Sequence, residues 1–231
     1  MAKNVVVIGG NIGAGKSTLT DYIQQREQSK CIPEFVDSSW LELFYSDRKS
    51  FTGYLEKSCL FGRIARNITA KKEIGNVFFD RGLIEAREVF VQNSFDEGFL
   101  SRMELNSYDY ELHEAINNKL GISKHDSDRW LEKLFVYMEA PPEVCFERQK
   151  ERARKRGDRS EIIPLDYFKR LDKYYSRFVT QIGPIYNKWG LQNPPKIVPI
   201  PAHRDISKDK SYLEEAAQII MDELGKYNEC H

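Results

Sequence analysis

Val5-Val6-Val7-Ile8-Gly9-Gly10-Asn11-Ile12-Gly13-Ala14-Gly15-Lys16-Ser17-Thr18 decides the fold. Its first four residues form an unbroken apolar run with β-branched side chains, the pattern of a strand buried on both faces of a parallel sheet. From Gly10 to Ser17 the chain satisfies G-x-x-x-x-G-K-[ST]. The motif stands between that strand and a segment of helical apolar spacing, the context that gives it meaning. Glycines let backbone N–H groups turn toward a polyphosphate, and the helix N-terminus adds partial positive charge. Lys16 then reaches the β and γ phosphates and Ser17 binds Mg²⁺. The expected ligand is a nucleoside triphosphate, cradled by Gly10, Asn11, Ile12, Gly13, Ala14, Gly15, Lys16, Ser17 and Thr18. An ordinary glycine-rich turn with a surface lysine is the competing account, and it leaves the order strand, motif, helix unexplained.

Outward from this stretch, apolar runs recur at 77–79 before Asp80, at 134–138 before Glu139 and at 197–200, with a weaker one at 31–33 before Glu34. Between them, helical spacing marks 19–28, 40–45, 51–71, 83–91, 99–120, 144–154, 165–189 and 212–224. Strand and helix alternate, which predicts an α/β chain with a five-stranded parallel sheet flanked by helices. No repeat, low-complexity tract or linker divides the 231 residues, so one domain, 1–231, is expected. Lys plus Arg and Asp plus Glu both number 35, and without net charge no overall field draws the chain to polymeric nucleic acid or a lipid surface. Cys31, Cys59, Cys145 and Cys230 are scattered without a CxxC pair, which disfavours disulfides and zinc and fits a reducing, cytoplasmic compartment. No segment approaches the roughly 18 apolar residues of a membrane span, and the first apolar run is too short for a signal peptide. A soluble protein is expected.

The cradle positions a donor and leaves the acceptor open. Asp80-Arg81-Gly82 ends one predicted strand and Glu34 follows another. Both therefore reach the rim where open parallel sheets gather their ligands, and a carboxylate there can accept a proton from an attacking hydroxyl. The alternative for Glu34 and Asp80 is a helix cap or an ion-pair partner. Arg148, Arg152, Arg154, Lys155, Arg156 and Arg159 form a basic run that starts on a helix and enters the Gly157 turn. The run suits a closing lid at about 148–161, whose arginines neutralise a moving phosphoryl group and whose closure excludes water. A solvated face paired with Glu147, Glu151 and Asp158 is the alternative.

Taken together, these residues resemble the deoxynucleoside kinase family. The resemblance runs through nearly the whole chain: GGNIGAGKST at 9–18, Glu34 in PEFVD, LELFY ending at Tyr45, a helix carrying Glu56 and Arg63, DRG at 80–82, VYMEAPPEVCFER at 136–148, RAR at 152–154 and PLDYFKRL at 164–171. It implies the P-loop kinase fold, ATP as donor, Mg²⁺, and phosphorylation of the 5′-hydroxyl of a deoxyribonucleoside in nucleotide salvage. Under it Glu34 matches the general base and Arg81 the arginine that holds the acceptor end and the transferred phosphoryl group. Asp80 stands where the family has Glu and still serves Mg²⁺, while Gly82 replaces the usual Ser. Tyr45, joined by Glu161 from the end of the lid, matches the contact to the sugar 3′-hydroxyl. Arg148, Arg152 and Arg154 match the lid arginines, and 201–206, with Asp205, resembles the loop near the donor adenine. Relatives form homodimers through long helices, here 51–71 and 99–120.

Glu56 occupies the position where many relatives place Gln on the edge of the base. An amide both donates and accepts, whereas a carboxylate only accepts. Ionised Glu56 favours guanine, whose ring imino and exocyclic amino groups donate side by side, and Arg63 on the same helix face can donate to the guanine carbonyl and ring nitrogen. Thymine satisfies part of this pair, and Ala86 stands where purine- and cytosine-preferring relatives often carry Asp and thymidine-accepting ones a small residue, so the two clues disagree. The expected acceptor is deoxyguanosine, with thymidine next; an ion pair of Glu56 with Arg63 or Lys57 is the alternative. Trp40, Phe44, Phe90 and Tyr110 are candidates for stacking on the base or for the core. The four histidines carry no role that phosphoryl transfer needs. Two other functions remain open from the sequence: a nucleoside monophosphate kinase resembling thymidylate kinase, which Glu34 disfavours by repelling an acceptor phosphate, and a nucleotide-dependent switch without an acceptor.

Overall fold

The structure, a computed structural model, describes residues 2–27, 29–34, 36, 38–120, 132–156, 163–204 and 208–230. Glu161, Asp205 and the lid beyond 156 lie outside them. The sheet has five strands, β1 (Ala2–Gly10), β2 (Lys30–Ile32), β3 (Gly75–Asp80), β4 (Glu132–Glu139) and β5 (Lys196–Pro201), in the order β2-β3-β1-β4-β5. Every neighbouring pair is parallel. Ile8 of β1 lies opposite Asp80 on one side and Val136 on the other. The apolar run that opens the chain is therefore the sheet's centre, and the cradle begins at its carboxyl end, where the connections diverge to opposite sides.

Alternate residues of the central strands build the core in two layers. Val5, Val7, Val77, Phe79, Phe135 and Tyr137 pack under one set of helices. Val6, Ile8, Phe78, Leu134, Val136 and Met138 pack under the other. Burying each such side chain contributes about 1.5–3 kcal/mol, which is why β1, β3 and β4 read as continuous apolar runs.

The helices are α1 (Lys16–Arg26), α2 (Ser38–Ser46), α3 (Arg48–Ala70), α4 (Leu83–Ala86), α5 (Gln92–Asp96), α6 (Arg102–Glu114), α7 (Pro142–Arg156), α8 (Leu165–Thr180), α9 (Ile182–Lys188) and α10 (Lys210–Cys230). A π-helical turn, Arg87–Val91, joins α4 to α5, and a second, Ala115–Lys119, extends α6. The single helix expected over 165–189 is broken at Gln181. Pro184 explains the break: it lacks an N–H, its ring would meet the Thr180 carbonyl, and it fits only the first turn of a new helix. The helix expected from 99 begins at Arg102 instead, because Ser101 caps it and Glu104 reaches back to the Ser101 N–H (2.7 Å). Cys31, Cys59 and Cys145 are buried free thiols. Among the described residues no helix is long and apolar enough to cross a membrane.

Candidate active site

Helix α1 begins at Lys16, three residues before its apolar spacing starts, because Gly15 takes a left-handed turn (φ 99°) at its N-cap. Gly13 also has positive φ (80°), and a Cβ there would lie 2.7 Å from the Cys145 carbonyl oxygen; only glycine fits. The loop between closes on itself, with Ala14 N–H donating to Asn11 O (3.2 Å) and Asn11 Nδ2 to Phe168 O (2.9 Å). Lys16 Nζ donates to Gly10 O (3.0 Å) and Asn11 O (2.9 Å). Burial, followed by the charge of Arg81, lowers the Lys16 ammonium to about 8. A polyphosphate in the cradle would oppose both influences by supplying negative charge.

A cleft of about 750 Å³ opens above the carboxyl ends of the strands, lined by Lys16, Ser17, Thr18, Glu34, Tyr45, Asp80, Arg81, Arg148 and Arg152. Four separate segments thus converge on the cradle. Glu34 accepts from Arg63 Nη2, and its other oxygen lies 3.0 Å from Arg81 Nε. Burial alone would raise the Glu34 carboxyl, but the guanidinium groups of Arg63, Arg81 and Arg66 hold it below the ordinary range. Glu34 is therefore an ion-pair partner, and it faces the cleft as well. Asp80 Oδ1 is buried without a hydrogen-bond partner among the described residues, and Ser17 is exposed nearby on the cradle. A carboxylate oxygen so oriented, with a hydroxyl and a phosphate site beside it, fits a magnesium ion.

Arg81 has φ 66°, the only positive value outside glycine among the described residues. Such a conformation costs on the order of 1–3 kcal/mol and persists only when neighbours hold it. Here the Arg81 N–H donates to Ile8 O (3.1 Å). Arg66, stacked on Phe79 at 4.8 Å, donates to Asp80 O (2.7 Å) and to Arg81 O. Among the described residues its guanidinium donates to carbonyls alone, and burial lowers it to about 10. Sequence reasoning passed over Arg66, Glu85, Phe90 as a partner of Arg81, and Tyr175; no local pattern marks them, since their partners lie on other elements.

Glu56 does not line this cleft; it lines a smaller cavity of about 220 Å³ with Tyr54, Lys57, Leu100, Glu104 and Tyr108. Lys57, one of the two alternative ion-pair partners of Glu56, donates to Ser107 Oγ instead (2.8 Å). Burial pushes the Glu56 carboxyl up to about 7, with Arg63 opposing and Glu34 reinforcing. Arg63 is bound to Glu34, yet its Nε and Nη1 are buried without partners among the described residues. Ala86 is fully buried in α4. Tyr110 is 65% exposed on α6 and does not stack in the site; its helical position points to solvent. Arg148 donates to Gly13 O (3.4 Å), Ala202 O (3.0 Å), His203 O (3.3 Å) and Arg204 O (2.6 Å), tying α7 to the cradle and to the segment after β5. Arg154 lies on the exposed face of α7, while Lys150 and Lys155 pair with Glu147 and Glu151 (2.9 Å each).

Over residues 6–226 the chain matches the family model described as deoxynucleoside kinase. It belongs to the deoxynucleoside kinase family. The chain is 31% identical over 224 residues to the deoxyguanosine kinase of Lactobacillus acidophilus, covering 95% of this chain and 90% of that protein. With the deoxyadenosine kinase of the same bacterium it shares 31% over 173 residues, covering 74% and 77%. A solved structure of deoxyadenosine kinase from M. mycoides with bound dATP matches with a TM-score of 0.70 over 96% of this chain and 99% of that one, at 22% identity; this likeness supports the P-loop kinase fold. The chain is accordingly a phosphotransferase of the deoxynucleoside kinase family, which sets aside the monophosphate kinase and the switch.

Proposed function

We propose that this kinase transfers the γ-phosphoryl group of ATP to the 5′-hydroxyl of a deoxyribonucleoside, deoxyguanosine before thymidine, within a single domain closed by a lid at about 148–161. The observation that carries the reading is the meeting of Glu34 and Arg81, 3.0 Å apart, on the cleft that also contains Lys16. Glu34 is the general base. Held ionised by three guanidinium groups, it is a weak base that accepts the hydroxyl proton late, after the phosphoryl group has largely left ADP. Positioning and charge neutralisation by Lys16, Arg81 and the lid arginines Arg148, Arg152 and Arg154 therefore carry most of the rate. Ser17 and Asp80 would hold Mg²⁺, which would add charge neutralisation on the donor phosphates. We assign Tyr45 and Glu161 to the 3′-hydroxyl and Asp205 to recognition of the donor adenine, by the resemblance of their motifs alone.

For the base, Glu56 accepts the two guanine donors while the unpartnered Nε and Nη1 of Arg63 donate to its carbonyl and ring nitrogen. The small Ala86 leaves room for thymine. The exposed residues Tyr54, Phe61 and Ile68, seven apart on α3, and Met103 and Tyr110, seven apart on α6, form stripes that support a homodimer packed through these helices. Assaying ADP release with ATP and each natural deoxynucleoside tests the acceptor. Deoxyguanosine is expected to give the highest kcat/KM and thymidine the next; a preference for deoxycytidine or deoxyadenosine overturns the donor-pair reading.

A further inference from the structure

The Arg81 guanidinium is held at two of its three corners. Nε meets Glu34 Oε2 at 3.0 Å. Nη1 donates to the Tyr175 hydroxyl at 2.8 Å and to Gly10 O at 3.3 Å. One face lies on the Phe90 ring, 4.1 Å from its centroid. The Tyr175 hydroxyl in turn donates to Glu85 Oε1 at 2.5 Å, and Glu85 Oε2 accepts the Gly82 N–H at 2.8 Å. Tyr175 and Glu85 are essentially inaccessible, at 0% and 1% exposure. The third corner, Nη2, makes no bond among the described residues, and Arg81 lines the cleft together with Lys16.

We propose that Tyr175, oriented by Glu85, is a positioning residue for phosphoryl transfer: it fixes the rotation of the Arg81 guanidinium so that Nη2 is presented to the transferring phosphoryl group. This rests on reading Arg81 as the arginine that meets that group. A planar guanidinium bonded along two edges and stacked on a ring has one orientation left, so its charge is in place before the substrates arrive. The hydroxyl interposed between Arg81 and Glu85 matters for charge as well as geometry. It keeps Nη1 3.7 Å from the Glu85 carboxylate, so the guanidinium is held by a neutral group on this edge and its positive charge is less quenched than in a direct carboxylate pair.

Tyr175→Phe removes the hydroxyl and keeps the ring. It is expected to lower kcat roughly 10- to 100-fold, the scale of a slightly misplaced catalytic group, with KM for ATP and deoxynucleoside changed by less than about twofold. An unchanged kcat overturns the proposal. Arg81→Lys supplies the control, because an ammonium has no planar fork for Tyr175 to orient. In that background the added Tyr175→Phe change is expected to have almost no further effect on kcat, and losses that simply multiply overturn the positioning role in favour of general packing. If Arg81→Lys alone retains normal kcat, the reading of Arg81 falls and the proposal with it. Thermal melting of each variant separates these outcomes from unfolding.

Discussion

Among the described residues, Lys16, Glu56 and Glu132 change charge near neutrality, and the first two line the cavities described above. Because the Lys16 ammonium titrates at about 8 in the free chain and bound phosphates favour its charged form, ATP binding takes up protons above that pH. Calorimetric titration at about pH 9 in two buffers of different ionisation heat reads this uptake directly, and Lys16→Ala removes it while lowering kcat at least 10²- to 10³-fold, on the scale of losing a transition-state donor. Glu56 must be ionised to accept from guanine, and it titrates at about 7. From about pH 6 to about pH 8, kcat/KM for deoxyguanosine therefore rises, and Glu56→Gln abolishes the rise and shifts base preference. The same group affects stability with the opposite sense. Its folded titration point lies above the ordinary 4.5, so its contribution to the fold is complete below that pH and is lost as pH rises through about 7.

Among elements, the cradle was the most legible because its function is local: the strand, the glycines and the helix start are contiguous. A side chain at Gly13 conflicts both with its φ of 80° and with the Cys145 carbonyl. Gly13→Ala is thus expected to destabilise the fold by about 1–3 kcal/mol and to weaken nucleotide binding, measured by denaturant unfolding and by binding of a fluorescent ATP analogue. β2 was faint because only three residues pair, at the sheet edge, too few to establish a period. The break at Gln181 was missed because the apolar spacing continues across it, so that Pro184 alone marks the interruption. The layer behind Arg81 was illegible for a different reason. Arg66, Glu85 and Tyr175 occupy ordinary helical positions on α3, α4 and α8, and only tertiary packing makes them neighbours. Arg63 shows the same limit: its spacing put it on the Glu56 face, yet the structure gives its Nη2 to Glu34.

For the molecule as a whole, the exposed apolar stripes of α3 and α6 set the expected assembly. Phe61, 46% exposed at the middle of the longer stripe, is the position where a charge disrupts packing between copies most directly. Light scattering coupled to size exclusion is expected to give a dimer mass for the unaltered chain and a monomer mass for Phe61→Arg; a monomeric unaltered chain removes the dimer reading. The buried sulfurs bear on the molecule's motions. Burial raises the thiols of Cys31, Cys59 and Cys145 to about 12, 12 and 11, so hardly any reactive thiolate exists at neutral pH. An alkylating reagent can therefore mark them only during excursions that admit water. With one sulfur on β2, one on α3 and one on α7, the rate of marking at each becomes a separate clock for the sheet edge and for each of those two helices.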